Sequence, residues 1–192
     1  FLMHVIVNSL IICACIDDVF LFLENPSAKM FCNSPTECSN QLPNIMTMAL
    51  HNYHMLFYKM KRIDLVHHIP AFFGGIINAL YPTSSLQNFT FFFIMGLPGL
   101  IDYFILFMMK YGFVSKKKEK IVNCFLNVWI RSPGLIVSSF SIFQSLLMHR
   151  ERFGSVFHII AAVIIMCHNF WNGQYFMSLA IESEVLYRNI EI

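Results

Sequence analysis

Apolar runs alternate with polar connectors along the chain. The runs cover residues 1–23, 45–58, 65–80, 89–111, 121–148 and 155–181. A run of roughly 17–25 apolar residues is long enough to cross a bilayer as a helix. The second run is shorter and unusually polar. Breakers punctuate the others: Tyr81-Pro82 ends the third, Gly96-Leu-Pro-Gly99 breaks the fourth, and Arg131-Ser-Pro133-Gly134 interrupts the fifth. The pattern predicts an all-α fold, a polytopic transmembrane helix bundle of about six spans. No internal repeat or low-complexity linker divides it, so residues 1–192 are expected to form a single transmembrane domain.

Composition points the same way. The chain is 57% hydrophobic and 12% charged, with a mean hydropathy of +0.60. Soluble domains carry about 25% charged residues. A soluble domain of 192 residues has too little interior to hide 21 Phe and 12 Met; most of these are expected to pack against lipid. Residues 1–23 could be read as a signal peptide, but Asp17-Asp18 interrupts the apolar core and no small-residue cleavage site follows.

The net charge of +2 matters less than its placement. Lys59, Lys61 and Arg62 lie between the second and third runs. Lys110, Lys116, Lys117, Lys118 and Lys120 lie between the fourth and fifth. The opposite connectors carry only Lys29, Arg150 and Arg152. With six spans both basic loops fall on one side, which the positive-inside rule makes cytosolic. Both termini are then expected in the cytosol. Cys32 and Cys38 fall in the first outside loop, where an oxidising lumen permits a disulfide. The sequon Asn88-Phe-Thr90 also falls outside, although its closeness to the membrane argues against glycosylation. Cys13, Cys15, Cys124 and Cys167 lie in spans as ordinary small apolar residues.

The candidate chemistry is a histidine pair. His67-His68 opens the third run directly after a charged stretch. At ~1.5 Å of rise per residue, the pair lies ~5–7 Å inside the cytosolic edge and Asp102 ~12 Å inside. His51 and His54 on the second span, and Asn123 and Asn127 on the fifth, fall in the same half-layer. Helical phase groups these residues into faces. His67, Gly74 and Asn78 form one stripe, and His168, Asn172 and Tyr175 another. Gly99 shares a face with Asp102. Ionisable groups inside a bilayer are expensive and face a bundle interior or a wet cavity. The plainer alternative is that some of them only join helices by hydrogen bonds. That alternative weighs most for His51, His54, Asn123 and Asn127, and least for His67, His68 and Asp102. Asp17-Asp18 lies away from the cluster and reads as structural or interfacial. Lys116-Lys-Lys118 reads as a topology anchor.

The run Lys-Arg-Ile-Asp-Leu-Val-His67-His68-Ile, followed a span later by Leu-Ile-Asp102-Tyr-Phe-Ile-Leu-Phe-Met-Met-Lys110, resembles the TLC domain of ceramide synthases and their relatives. Trp129-Ile-Arg131-Ser-Pro-Gly134 stands where that family often has an Arg-containing break. Cys-His168-Asn-Phe-Trp171-Asn is similar to its last span. The resemblance covers residues 45–180. It implies lipid metabolism at the endoplasmic reticulum and a membrane lipid or lipid-like substrate. It further implies acyl transfer from acyl-coenzyme A, as co-substrate, to a sphingoid-type amine; no bound cofactor is expected. His67 or His68 would be the general base and Asp102 its orienting partner. His51, His54, Asn78, Asn127, His168 and Asn172 would contact substrate. Where the family has a second acidic position, this chain has Pro98-Gly99. The alternative is a non-catalytic member that binds or senses lipid or escorts membrane proteins.

A third reading, a histidine-rich di-iron lipid oxidase, is prompted by eight histidines. Its usual His-x-x-x-His and His-x-x-His-His boxes differ from His51-x-x-His54 and the bare His67-His68, and no metal site is expected. The sequence carries no Ser-His-Asp pattern, phosphate-binding Gly loop or nucleic-acid signature. It leaves homo-oligomerisation open.

Overall fold

The computed structural model describes residues 1–26, 30–32, 38–81, 84–149, 153 and 155–189, except the side chains of Ile63, Asp64, His67 and Asn189. Lys29, Arg150 and Arg152, which entered the topology argument, lie outside the described residues. Among the described residues the chain forms six helical rods: α1 (Leu2–Glu24), α2 (Leu42–Phe57), α3 (Arg62–Leu80), α4 (Ser85–Lys110), α5 (Lys116–Met148) and α6 (Val156–Asn189). The fold is an all-α bundle. Helices α1, α4, α5 and α6 are long and apolar enough to cross a membrane, and the chain is an integral membrane protein. Helix α2 has 16 residues and α3 has 19, with the apolar part of α3 confined to His68–Leu80.

Proline shapes the two broken rods without ending them. In α4 a wide turn of π-helix occupies Phe92–Gly96, just before Pro98. In α5 another occupies Asn127–Arg131, just before Pro133. A proline ring lacks an N–H and crowds the carbonyl four residues back. A local π-turn takes up that conflict, and such bulges gather at functional sites. Sequence reasoning reads these places as breaks, whereas both helices run through them. The last helix also reaches about two turns beyond its expected end, to Asn189.

The rods form a ring. In order around it, α2 packs on α1, α1 on α4, α4 on α5, α5 on α6, and α6 touches α3, which returns to α2. Helix α1 buries His4, Asn8, Ile11, Cys15, Val19 and Phe22, spaced three or four residues apart on one face. Its opposite face carries exposed Ile6, Leu10 and Phe20, as a lipid-facing surface requires. Phe is divided: Phe140 and Phe170 are exposed, while Phe22, Phe89 and Phe91 pack in the core.

Two ends can be told apart. The basic end carries the α2–α3 and α4–α5 turns, with Phe1 beside Tyr103 and Lys116 over the ring of Tyr187. At the opposite end, Cys32 and Cys38 form a disulfide with Cα atoms 5.1 Å apart. Met30 is drawn under the bundle there: its N–H donates to Ser145 Oγ at 3.0 Å, and its carbonyl accepts from Ser84 N–H at 2.9 Å. Asn88 is fully buried and donates to Asp18 at 2.6 Å and to the Asn40 carbonyl at 3.0 Å. Asp18 therefore has a structural partner, and the sequon asparagine is not accessible in the folded chain.

Candidate functional site

A cavity of about 540 Å³ runs through the centre of the ring. It extends from Lys120, His54 and Ser183 near the basic end to Met30, Leu86 and Ile142 near the other. Along α6 its lining runs from Ile164 to Ser183, about 28 Å of helix at ~1.5 Å per residue. Its chemistry is graded. The ionisable residues His51, His54, His68, Asp102 and Lys120, with Asn123 and Asn127, occupy the basic half, while the far half sets Leu86, Ile94, Ile142 and Ile165 beside the uncharged Asn78, Gln87 and Thr90.

The site residues expected from sequence are placed as follows. His51, His54, His68, Asn78, Asp102, Asn127, His168 and Asn172 all line this cavity. His67 lies on α3 beside His68, and its side chain is outside the described residues. Helices α2 and α3 bring three histidine rings together: His51 and His68 have centroids 4.8 Å apart, and His54 and His68 5.4 Å apart. His51 Nδ1 also contacts the Thr47 carbonyl at 2.7 Å, which fixes its ring on the helix. Tyr175 departs from its expected stripe. It stacks on Trp171 at 5.0 Å, and Phe176, one residue on, lines the cavity instead.

Asp102 accepts a 2.7 Å hydrogen bond from Asn123, and the positive charges of Arg131 and Lys120 act on it. Among the described residues Asn123 is thus its direct partner, rather than a histidine. Asn123 in turn accepts from Asn127 through its backbone carbonyl at 2.9 Å. The π-turn of α5 sets the next group: Arg131 donates to Asn172 Oδ1 at 2.9 Å, and its guanidinium lies 4.5 Å over the Phe176 ring. A charge–ring contact of that kind helps hold a cation away from water.

Sequence reasoning missed part of the wall. His4 and Asn8 of α1 line the cavity, and the His4 ring stacks on Tyr103 at 3.8 Å and on His54 at 4.6 Å. A signal was present, because His4 and Asn8 are four residues apart and share one face of an apolar run. Gly99 permits the contact between α1 and α4, since a Cβ there would lie 2.6 Å from Asn8 Nδ2. Arg131 was read only as part of a break.

Several polar atoms facing the cavity have no hydrogen-bond partner among the described residues. They are His4 Nδ1, the Asn8 amide, Thr47 Oγ1, Asn127 Oδ1, Arg131 Nε and His168 Nε2. Buried polar groups are usually paired, and each orphan costs about 1–3 kcal/mol. An occupant with polar groups at this depth would satisfy them. Among the described residues, no three His, Cys, Asp or Glu side chains come together to hold a metal ion, and the di-iron reading gains no support there. No family, curated protein or solved structure matches the chain.

Proposed function

We propose that this chain is a TLC-like membrane protein of the endoplasmic reticulum, with both termini cytosolic, that holds a membrane lipid in its central cavity. The observation that carries this reading is the graded cavity. Its volume of about 540 Å³ lies within the roughly 300–1,000 Å³ of small-molecule sites. The polar group of the lipid would meet the unpartnered atoms of Asn8, Thr47, Arg131 and His168. Its chain would lie against Leu86, Ile142 and Ile165. Each buried methylene would contribute about 0.8 kcal/mol. The test is lipid extraction and mass spectrometry of protein purified in mild detergent. Wild-type protein is expected to carry one lipid class at near-stoichiometric amount. Gly74→Phe, which builds a ring into open space beside the cavity, is expected to lose it while the elution profile stays that of a folded monodisperse protein. Equal lipid recovery from both would overturn the reading.

A second reading, acyl transfer, rests on one observation: His68, His54, His51 and Asp102 share this cavity. The sphingoid amine nitrogen would attack the thioester carbonyl of acyl-coenzyme A. A histidine, His67 or His68, would take the amine proton, and coenzyme A would leave as the thiol. Incubation of the protein in nanodiscs with sphinganine and acyl-coenzyme A checks it. Amide product from wild type and none from His67→Ala or His68→Ala, with lipid retention unchanged, supports transfer. Retention without product leaves lipid binding as the function.

A further inference from the structure

We propose that the cavity is loaded sideways, from the hydrocarbon layer of the bilayer, through the seam between α3 and α6, by the acyl chain of a membrane lipid. The inference rests on the lipid-binding reading and adds a route to it. Helices α3 and α6 touch near the end away from the basic loops, where the Tyr81 ring meets the His158 ring at 4.8 Å. Phe31 also packs edge-on against His158 at 5.1 Å. Among the described residues the two helices make little contact overall.

The wall of the cavity opens there. Phe73 of α3 is 58% exposed and Ile164 of α6 is 48% exposed, and both line the cavity. They are the two cavity-lining residues among those described whose surfaces are largely open to the outside. Phe73 lies eight residues from Tyr81, and Ile164 six residues from His158. At ~1.5 Å per residue both sit about 9–12 Å from that ring contact, at one depth. Both are apolar and lie on helix faces exposed toward lipid, with Ile69, Ile160 and Val163 exposed beside them. A hydrocarbon chain can pass such lips without losing contact with apolar surface. A polar head would follow toward His168 and Asn172, which lie further along α6 toward the basic end. Gly74, next to Phe73, has nothing within 4 Å of where a Cβ would stand, so the space behind the lip is open. Among its described residues α3 buries only Gly75, which lies against Met48 and accepts from Asn44 at 3.2 Å, so α2 holds the helix while its α6 side is sparsely packed.

The experiment uses full-length protein in phosphatidylcholine vesicles with a trace of diazirine-bearing fatty acid or diazirine-bearing sphingoid base. The sample is photolysed at successive times, and label is mapped to Leu86 and Ile142 peptides. The variant carrying Phe73→Trp and Ile164→Trp is expected to slow labelling about tenfold. Phe73→Ala is expected to speed it, with the final extent of labelling within twofold of wild type in both. Ser183→Trp, which narrows the basic end, is expected to leave the rate unchanged. Normal labelling with lip variants at the wild-type rate, or slowing only in Ser183→Trp, would overturn the lateral route and leave lipid binding standing. No cavity label in wild type with either probe would overturn both.

Discussion

The α5–α6 pair and helix α3 line the same cavity and are held unequally. Helix α5 buries Ser132, Gly134, Leu135, Ser138, Ser139, Ser141, Ile142 and Ser145. Its small residues let backbones approach, and its hydroxyls link helices. Ser139 donates to the Met166 carbonyl at 3.2 Å, Asn169 to Ser138 at 3.2 Å and Gln174 to Ser132 at 3.0 Å. Ser138 also shares a 2.5 Å hydrogen bond with Thr90 of α4. In lipid there is no hydrophobic drive between helices, so close packing and such bonds must hold the pair. Helix α3 has one instance of each, both toward α2: Gly75 lies against Met48, and its carbonyl accepts from Asn44 at 3.2 Å; elsewhere the helix exposes Leu65, Val66, Ile69, Phe73 and Leu80. One wall is therefore closely packed and the other sparsely packed on its α6 side, as the proposed exchange of lipid with the bilayer would require.

The sharpest way to break this comparison is to overfill the closely packed wall. At Gly134 a Cβ would run into the near end of the Phe93 side chain, which cannot swing clear. Gly134→Leu is expected to destabilise the protein by about 3 kcal/mol, read as a fall in apparent Tm in detergent. Next comes Asn88→Ala at the far end. It removes the donor to Asp18 and is expected to cost about 2 kcal/mol. Glycosidase treatment of wild-type protein should leave its gel mobility unchanged, because Asn88 is buried; a shift would mean that this packing is wrong. Ser138→Ala should cost about 1 kcal/mol. Combined with Asn169→Ala, the loss should be smaller than the sum, since one hydrogen bond is counted twice. The smallest effect is expected at Gly74→Ala on the sparsely packed wall. Nothing lies within 4 Å of the new methyl group, and helix propensity favours Ala by up to about 1 kcal/mol. Gly74→Ala as damaging as Gly134→Leu would erase the distinction between the walls.

Much of the architecture was legible from the sequence because a membrane span must satisfy its own backbone and expose apolar side chains. The six runs each became a helix among the described residues, and His51, His54, His68 and Asp102, placed in one half-layer, line one cavity. The same physics hid other features. In the first half of α1 the buried face carries His4 and Asn8 while Leu2, Met3, Ile6 and Leu10 are exposed, so apolarity there marks the outside of the helix. Prolines 98 and 133 announced a break, but their cost is absorbed by π-turns, which only the neighbouring helices could hold in place.

By itself the sequence determined that the chain is helical, that it belongs in a membrane, and which polar residues are too expensive to face lipid. These follow from local composition, span length and helical phase. Only the tertiary structure decided that Asp102 pairs with Asn123, that Arg131 lies over Phe176, and that His4 joins the histidines of α2 and α3. It also decided that, among the described residues, α3 and α6 touch least of the neighbours around the ring. Those facts depend on which helices become neighbours around the ring, and the periodicity of a single helix carries no information about the neighbour it will meet.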